Sequence, residues 1–135
     1  MKLFIIALAS IFFLQANSIE DFAAKHAYET NYEKAIEKAK KEKKPVMMVL
    51  VTHYCPWCRK YERNTLSKKS VNNIIAKNYV PLILNREQHQ FPDKFDTPRI
   101  PTTFFIEPHK EELIYKEMGF KTKSQFMQML GRVTD

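Results

Sequence analysis

The chain has 135 residues, of which 44% are hydrophobic, and its 22 lysines and arginines against 15 acidic residues give a net charge of +7. This length suits one compact domain with a single core and is too short for two. The sequence has no glycine-rich phosphate loop and no interleaved aromatic and basic residues, so no nucleic acid partner is expected. Much of the positive charge lies in one lysine-rich stretch, residues 38–44.

The first eighteen residues have the pattern of a secretory signal. Lys2 gives a positive start, residues 3–14 are apolar with one exception, and small residues at positions 16 and 18 predict cleavage near Ser18. The apolar stretch is shorter than the roughly 17–25 residues of a spanning helix, which favours a cleaved signal over an anchor. We therefore expect an exported protein that does not span the membrane after cleavage, with residues 19–135 as one domain.

The first predicted helix covers residues 31–44. Its apolar residues recur at three- and four-residue steps, and lysines occupy its C-terminal end, where the helix dipole favours positive charge. Pro45 ends this pattern, and the apolar run of residues 46–51 follows without alternation. Such a run is expected for a central strand that is covered on both faces.

A second helix is predicted for residues 57–66, with Tyr61 on its inward side. Ser70 is expected to cap a third helix that runs to Asn78, and residues 79–84 form the next short apolar strand. Two strand–helix units in succession predict that the two strands pair in parallel through a right-handed crossover.

Residues 85–99 are polar and interrupted by proline, which predicts a loop with at most one helical turn, near residues 93–95. Residues 102–106 and 112–116 then form two strands joined by a short polar turn. This arrangement predicts an antiparallel hairpin.

A closing helix is predicted for residues 124–133, with Phe126, Met127 and Leu130 facing inward. The alternation of helices and strands along the whole chain predicts an α/β fold. Its central sheet is expected to be mixed and to have helices on both faces.

The two cysteines, Cys55 and Cys58, are separated by Pro56 and Trp57 and come just after the first strand. Without a third or fourth thiol, the pair can close on itself but cannot complete a structural zinc site. A disulfide that closes so short a loop adds little stability, which favours reversible dithiol chemistry over a structural role.

The position of each cysteine predicts its role. At the start of a helix, Cys55 faces backbone N–H groups that favour the thiolate, so it is expected to attack. Cys58, one turn later and less exposed, is expected to resolve the mixed disulfide. Pro56 can begin a helix without losing a needed donor, and Trp57 offers an exposed apolar surface to a partner.

A strand, a Cys-x-x-Cys that opens a helix, and Ile100-Pro101-Thr102 before a later strand resemble the thioredoxin family over most of residues 31–133. The Lys-Pro before the first strand and the Cys-Pro-Trp-Cys look most similar to small exported thioredoxin-like proteins of bacteria, which implies a periplasmic location. The resemblance implies that Pro101 is cis and lies against the disulfide, and that Ile100 offers backbone hydrogen bonds to an extended substrate. Thioredoxins usually carry a buried acid six positions before the first cysteine, where this chain has Val49.

The predicted function is an exported thiol:disulfide oxidoreductase that reduces disulfides of extracytoplasmic proteins and needs no cofactor beyond its own disulfide. Trp57 stands where a strongly oxidising couple would have a histidine, and Ile100 precedes the proline as in reducing thioredoxins. An electron donor in the inner membrane would recharge the pair. The alternatives are an oxidant or isomerase of the same fold, a copper-binding protein that uses Cys55, Cys58 and His53, and a scaffold without chemistry.

Overall fold

The computed structural model describes residues 18–134, and its centre is a four-stranded mixed sheet with strand order β2-β1-β3-β4. Strand β1 pairs in parallel with β2 and antiparallel with β3, and β3 and β4 form an antiparallel hairpin. The predicted α/β fold with a mixed central sheet is therefore confirmed. The strands are β1 Val46–Val51, β2 Val80–Asn85, β3 Thr102–Glu107 and β4 Glu112–Met118.

Helices cover both faces of the sheet, as the alternating pattern predicted. One face carries α2 together with phenylalanines of the loop after β2, and the other carries α1, α3, α4 and α5. Shorter helical turns lie at Glu62–Leu66, Arg86–Gln88 and Asp93–Phe95. The helices are α1 Ser18–His26, α2 Tyr32–Glu42, α3 Pro56–Tyr61, α4 Lys69–Asn78 and α5 Lys123–Val133.

Strand β1 lies between the two halves of the hydrophobic core. Successive side chains of a strand point to opposite faces, so Met47, Val49 and Val51 pack on the α3 side. Its other three residues pack on the α2 side, and all six are fully buried. This two-sided burial explains why the sequence of β1 shows no polar alternation.

Helix α2 begins and ends through local backbone chemistry. The side chain of Asn31 accepts a hydrogen bond from the backbone N–H of Lys34 at 2.9 Å, which satisfies one of the free donors of the first turn. Lys43 then adopts a left-handed conformation with φ of 55°, and its N–H donates to the carbonyl of Ala39. The amphipathic helix expected in residues 31–44 is present.

Several details of the predicted elements were wrong. Helix α4 begins at Lys69, with Lys68 rather than Ser70 at its N-cap, because the carbonyl of Lys68 already accepts a helical hydrogen bond from the N–H of Asn72. In α5, Met129 is buried and Met127 is exposed. The loop after β2 contains two helical turns instead of one, and helix α1 was not anticipated.

The predicted signal lies outside the described residues, except for Ser18. From Ser18 onwards, α1 packs its Ile19 and Ala23 into the core on the α3 side of the sheet. Across residues 18–134, no helix has both the length and the apolar character needed to cross a membrane.

Candidate active site

Cys55 and Cys58 form a disulfide at the start of α3, with 5.2 Å between their Cα atoms. Cys55 is the N-cap of that helix, and its Sγ accepts a hydrogen bond from the backbone N–H of Cys58 at 3.1 Å. Pro56 occupies the first helical turn, where the N–H that it lacks has no helical partner to lose. The exposed fraction is 8% for Cys55 and 0% for Cys58, so solvent reaches one sulfur-bearing residue and not the other.

The sheet register brings the Ile100-Pro101 segment to the same edge as the disulfide. Leu50 pairs with Thr102, so Pro101 lies level with the last residue of β1, next to the loop that leads to Cys55. The Ile100–Pro101 peptide bond is cis, as the resemblance implied. Ile100 packs against the core cluster that contains both cysteines. Two segments that are far apart in sequence therefore meet at one site.

Hydrogen bonds hold the Ile100-Pro101 segment on both sides. The hydroxyl of Thr102 donates to the carbonyl of Arg99 at 2.6 Å, and Arg86 donates to the carbonyls of Thr97 and Pro98 at 3.3 and 3.2 Å. From the other side, the N–H of Gly119 donates to the carbonyl of Pro101 at 2.7 Å. The segment is thus fixed by the loop after β2 and by the end of β4.

Aromatic and cationic side chains form the exposed surface beside Cys55. Trp57 is 57% exposed, and its ring centroid lies 5.9 Å from that of Phe120. The Nζ of Lys60 lies 4.9 Å from the Trp57 ring centroid and 5.2 Å from that of Phe120. Tyr54, just before the first cysteine, is almost fully exposed. We call the Trp57 and Phe120 rings, with the Lys60 ammonium on them, the aromatic platform.

A hydrogen bond ties α3 to the strand that follows Pro101. The hydroxyls of Tyr61 and Thr103 lie 2.9 Å apart, and both side chains are buried. Burial raises the pKa of Tyr61, so this hydroxyl stays protonated. The contact fixes the end of the cysteine-bearing helix relative to β3.

Sequence reasoning missed a buried carboxylate one turn after Cys58. Glu62 is 5% exposed, and its carboxylate accepts a hydrogen bond from the Nε of Arg59 at 2.6 Å. Burial raises the pKa of Glu62, and the neighbouring Arg59 opposes that rise. Glu62 follows Cys58 by four residues, and residues four apart lie on the same face of a helix, so the sequence could have placed Glu62 on the inward side. Val49, where thioredoxins usually carry a buried acid, lies fully buried in β1.

The alternative of a copper site receives no support from the geometry. Within residues 18–134, we find no group of three or more histidine, cysteine, aspartate or glutamate side chains arranged to hold a metal ion. The backbone carbonyl of His53 accepts a long hydrogen bond from Arg59, at 3.5 Å. Both cysteine sulfurs are bonded to each other in the disulfide.

A family model described as thioredoxin-like matches residues 27–108. The rat protein "Spermatogenesis-associated protein 20" (Rattus norvegicus) is 29% identical over 62 residues, which is 46% of this chain but only 8% of that relative. A thioredoxin from Thermus thermophilus has a TM-score of 0.69 at 20% identity, covering 79% of this chain and 86% of its own. A disulphide isomerase from Xylella fastidiosa has a TM-score of 0.62 at 17% identity, covering 76% and 88%.

The two structural comparisons establish the fold, and the family model covers more than half of the chain. The closed Cys-x-x-Cys pair supplies the chemistry on that fold, since a dithiol and a disulfide interconvert by exchange with other thiols. The chain therefore belongs to the thioredoxin-like family, and its Cys-x-x-Cys disulfide joins Cys55 and Cys58.

Proposed function

We propose that the protein is an exported reductase that opens disulfides of extracytoplasmic proteins. The observation that carries this proposal is the difference between the two cysteines: a substrate can approach Cys55, whereas Cys58 is fully buried behind it. This difference supports Cys55 as the thiol that attacks the substrate and Cys58 as the resolving thiol.

The reaction consists of two thiol–disulfide exchanges. The Cys55 thiolate attacks one sulfur of the substrate disulfide, forms a mixed disulfide and releases the first substrate thiolate. Cys58 then loses its proton and attacks the Cys55 sulfur, which closes the Cys55–Cys58 disulfide and releases the second substrate thiolate. The substrate has gained the two electrons of the dithiol, and its thiolates take up protons from water. An electron donor in the membrane would restore the dithiol.

Four residues around the sulfur are proposed to bind substrate. Trp57 offers its exposed ring, and Pro56 lies between it and Cys55. Ile100 and Pro101 lie at the same sheet edge, held by the hydrogen bonds around them. Backbone groups of Ile100 can pair with an extended substrate segment, as in the addition of a strand.

Two features of the motif support the reducing direction. A strongly oxidising couple requires an unusually stable thiolate in the reduced form. Among the described residues, the Cys55 sulfur accepts one hydrogen bond, from the N–H of Cys58, and Trp57 stands within the motif instead of a histidine. These features favour a reductant over an oxidant or an isomerase.

The export of the protein is supported by the sequence of its first eighteen residues. A signal cleaved near Ser18 would leave Ile19 as the first residue, in a compartment where disulfides form. N-terminal sequencing of the protein recovered from the periplasm checks this. A mature chain that begins at Met1 would contradict it.

The reduction potential of the Cys55–Cys58 couple tests the direction. The purified protein is equilibrated with graded dithiothreitol or glutathione buffers, and its free thiols are trapped. A value near about −270 mV supports a reductase, whereas one near about −120 mV overturns the direction. The variant Cys55→Ser should abolish disulfide reduction, and Cys58→Ser should accumulate the mixed disulfide. If Cys55→Ser retained the wild-type rate, the proposed roles would be wrong.

A further inference from the structure

Three segments surround the disulfide, and they carry cations but no carboxylates. Residues 52–60 contain the cysteines, residues 97–101 reach the same sheet edge, and residues 119–121 contact both through Phe120 and Gly119. Aspartate and glutamate are absent from all three segments. Their side chains that can carry a positive charge are His53, Arg59, Lys60, Arg99 and Lys121.

Two of these cations are neutralised from outside the three segments. Arg59 pairs with Glu62 at 2.6 Å, and Lys121 pairs with Glu117 at 3.5 Å. Within residues 18–134, neither Lys60 nor Arg99 is part of a salt bridge. The three segments therefore carry two positive charges, on Lys60 and Arg99, that are in no ion pair within the described chain.

Lys60 is held in a fixed place on this surface. Its ammonium lies against both rings of the aromatic platform, where the ring faces attract a cation. A partner does not have to immobilise a free side chain in order to meet this charge, which lowers the entropic cost of binding. The platform thus offers an apolar surface and a positive charge side by side, next to Cys55.

We propose that this face selects disulfides in acidic segments of protein substrates, which rests on the proposed reductase function. The substrate cysteine has an aromatic or aliphatic neighbour that packs on Trp57 and Phe120. An adjacent aspartate or glutamate binds Lys60, and further acidic residues face Arg99. The exchange chemistry is unchanged, because the charges act on encounter and on orientation of the incoming disulfide.

The test compares three symmetric disulfide peptides that differ only beside the cysteine. Each has one cysteine and one phenylalanine, flanked by glutamates, glutamines or lysines. The full chain is reduced beforehand, and the second-order rate constant for peptide reduction is measured at low and high salt. The glutamate peptide should react at least about fivefold faster than the lysine peptide at low salt, and high salt should compress this ratio.

Charge reversal at one lysine locates the effect. Lys60→Glu should lower the preference for the glutamate peptide or reverse it, and Lys60→Gln should give an intermediate ratio. Lys116→Glu is the matched control, because Lys116 is exposed and pairs with Phe104 on the sheet face opposite α3. It makes the same change of charge and should leave the order of the peptides intact.

The outcomes separate this inference from the proposed function. Reduction of bis(2-hydroxyethyl) disulfide by the wild-type protein tests the reductase chemistry without any charge. If that reaction fails, the proposed function fails with it. If it proceeds but the three peptides react equally, or if Lys60→Glu leaves their order unchanged, the selection of acidic segments is wrong and the reductase stands.

Discussion

The hydrogen bond between Tyr61 and Thr103 should stabilise the protein through the pairing of two buried hydroxyls. Tyr61→Phe removes one hydroxyl and leaves the other buried without this partner, and Thr103→Val does the reverse. Each side chain keeps nearly its original volume, so packing changes little. A buried polar group that loses its hydrogen bond costs about 1–3 kcal/mol, so each single variant should lose about 2 kcal/mol.

The double variant distinguishes this account from a simple loss of packing. With both hydroxyls removed, no buried group is left unpaired, and the loss should be below about 1.5 kcal/mol instead of the sum of about 4 kcal/mol. For a domain of this size, each single variant should lower Tm by roughly 6–10 °C.

Urea unfolding of the oxidised protein measures these free energies. The midpoint should fall in each single variant while the slope of free energy against urea stays constant, since the surface exposed on unfolding is unchanged. The reasoning is refuted if the loss in the double variant equals the sum of the single losses within about 0.5 kcal/mol.

Two further predictions concern buried side chains on helical segments. Because burial raises the pKa of Glu62 above its unfolded value, its contribution to stability is present below the unfolded pKa and is lost as pH rises through the folded pKa. The free energy of unfolding of Glu62→Gln relative to wild type should therefore increase between pH 4 and pH 7, and a constant difference would contradict this. Met129→Ala should cost about 2–4 kcal/mol in urea unfolding, whereas the exposed neighbour Met127→Ala should stay within about 0.5 kcal/mol; equal losses would refute the burial argument.

The strands and the site motif were predictable because their signals are local. The bounds of β1 follow from an apolar run that ends where Thr52 and His53 begin, and the predicted parallel pairing with β2 is confirmed. The Cys-x-x-Cys spacing identifies the cysteine pair directly in the sequence. Ile100-Pro101-Thr102 was recognised through a resemblance, and the cis bond confirms that part of it.

The errors in the helices have different physical origins. At about 100° per residue, Met129 lies about 60° from Phe126 around the helix, whereas Met127 lies about 100° away, so the helical period alone predicts that Met129 faces inward. Ser70 has the right chemistry for an N-cap, but the helix begins one residue before it, at Lys69, and Lys68 is the N-cap. Local propensity could not reveal that, because the turn depends on packing against other elements.

Contacts between distant segments account for the parts of the site that sequence reasoning missed. Phe120 lies more than sixty residues after Trp57, and nothing in either segment alone predicts that their rings meet. Glu62 lines a cavity together with residues of α1 and lies near Tyr28, whose hydroxyl has no hydrogen-bond partner within residues 18–134. These features required the assembled fold.

The thiol chemistry and the proposed substrate binding depend on the fold to different degrees. The disulfide joins residues three positions apart, so an unfolded chain can also close and open it. Ile100 lies some 45 residues further along and reaches the sulfur edge only when β3 pairs with β1. Loss of that pairing, by heat or mutation, would leave the thiol chemistry and remove the proposed substrate-binding edge. On the proposed function, partly unfolded molecules would therefore react with disulfides without discrimination.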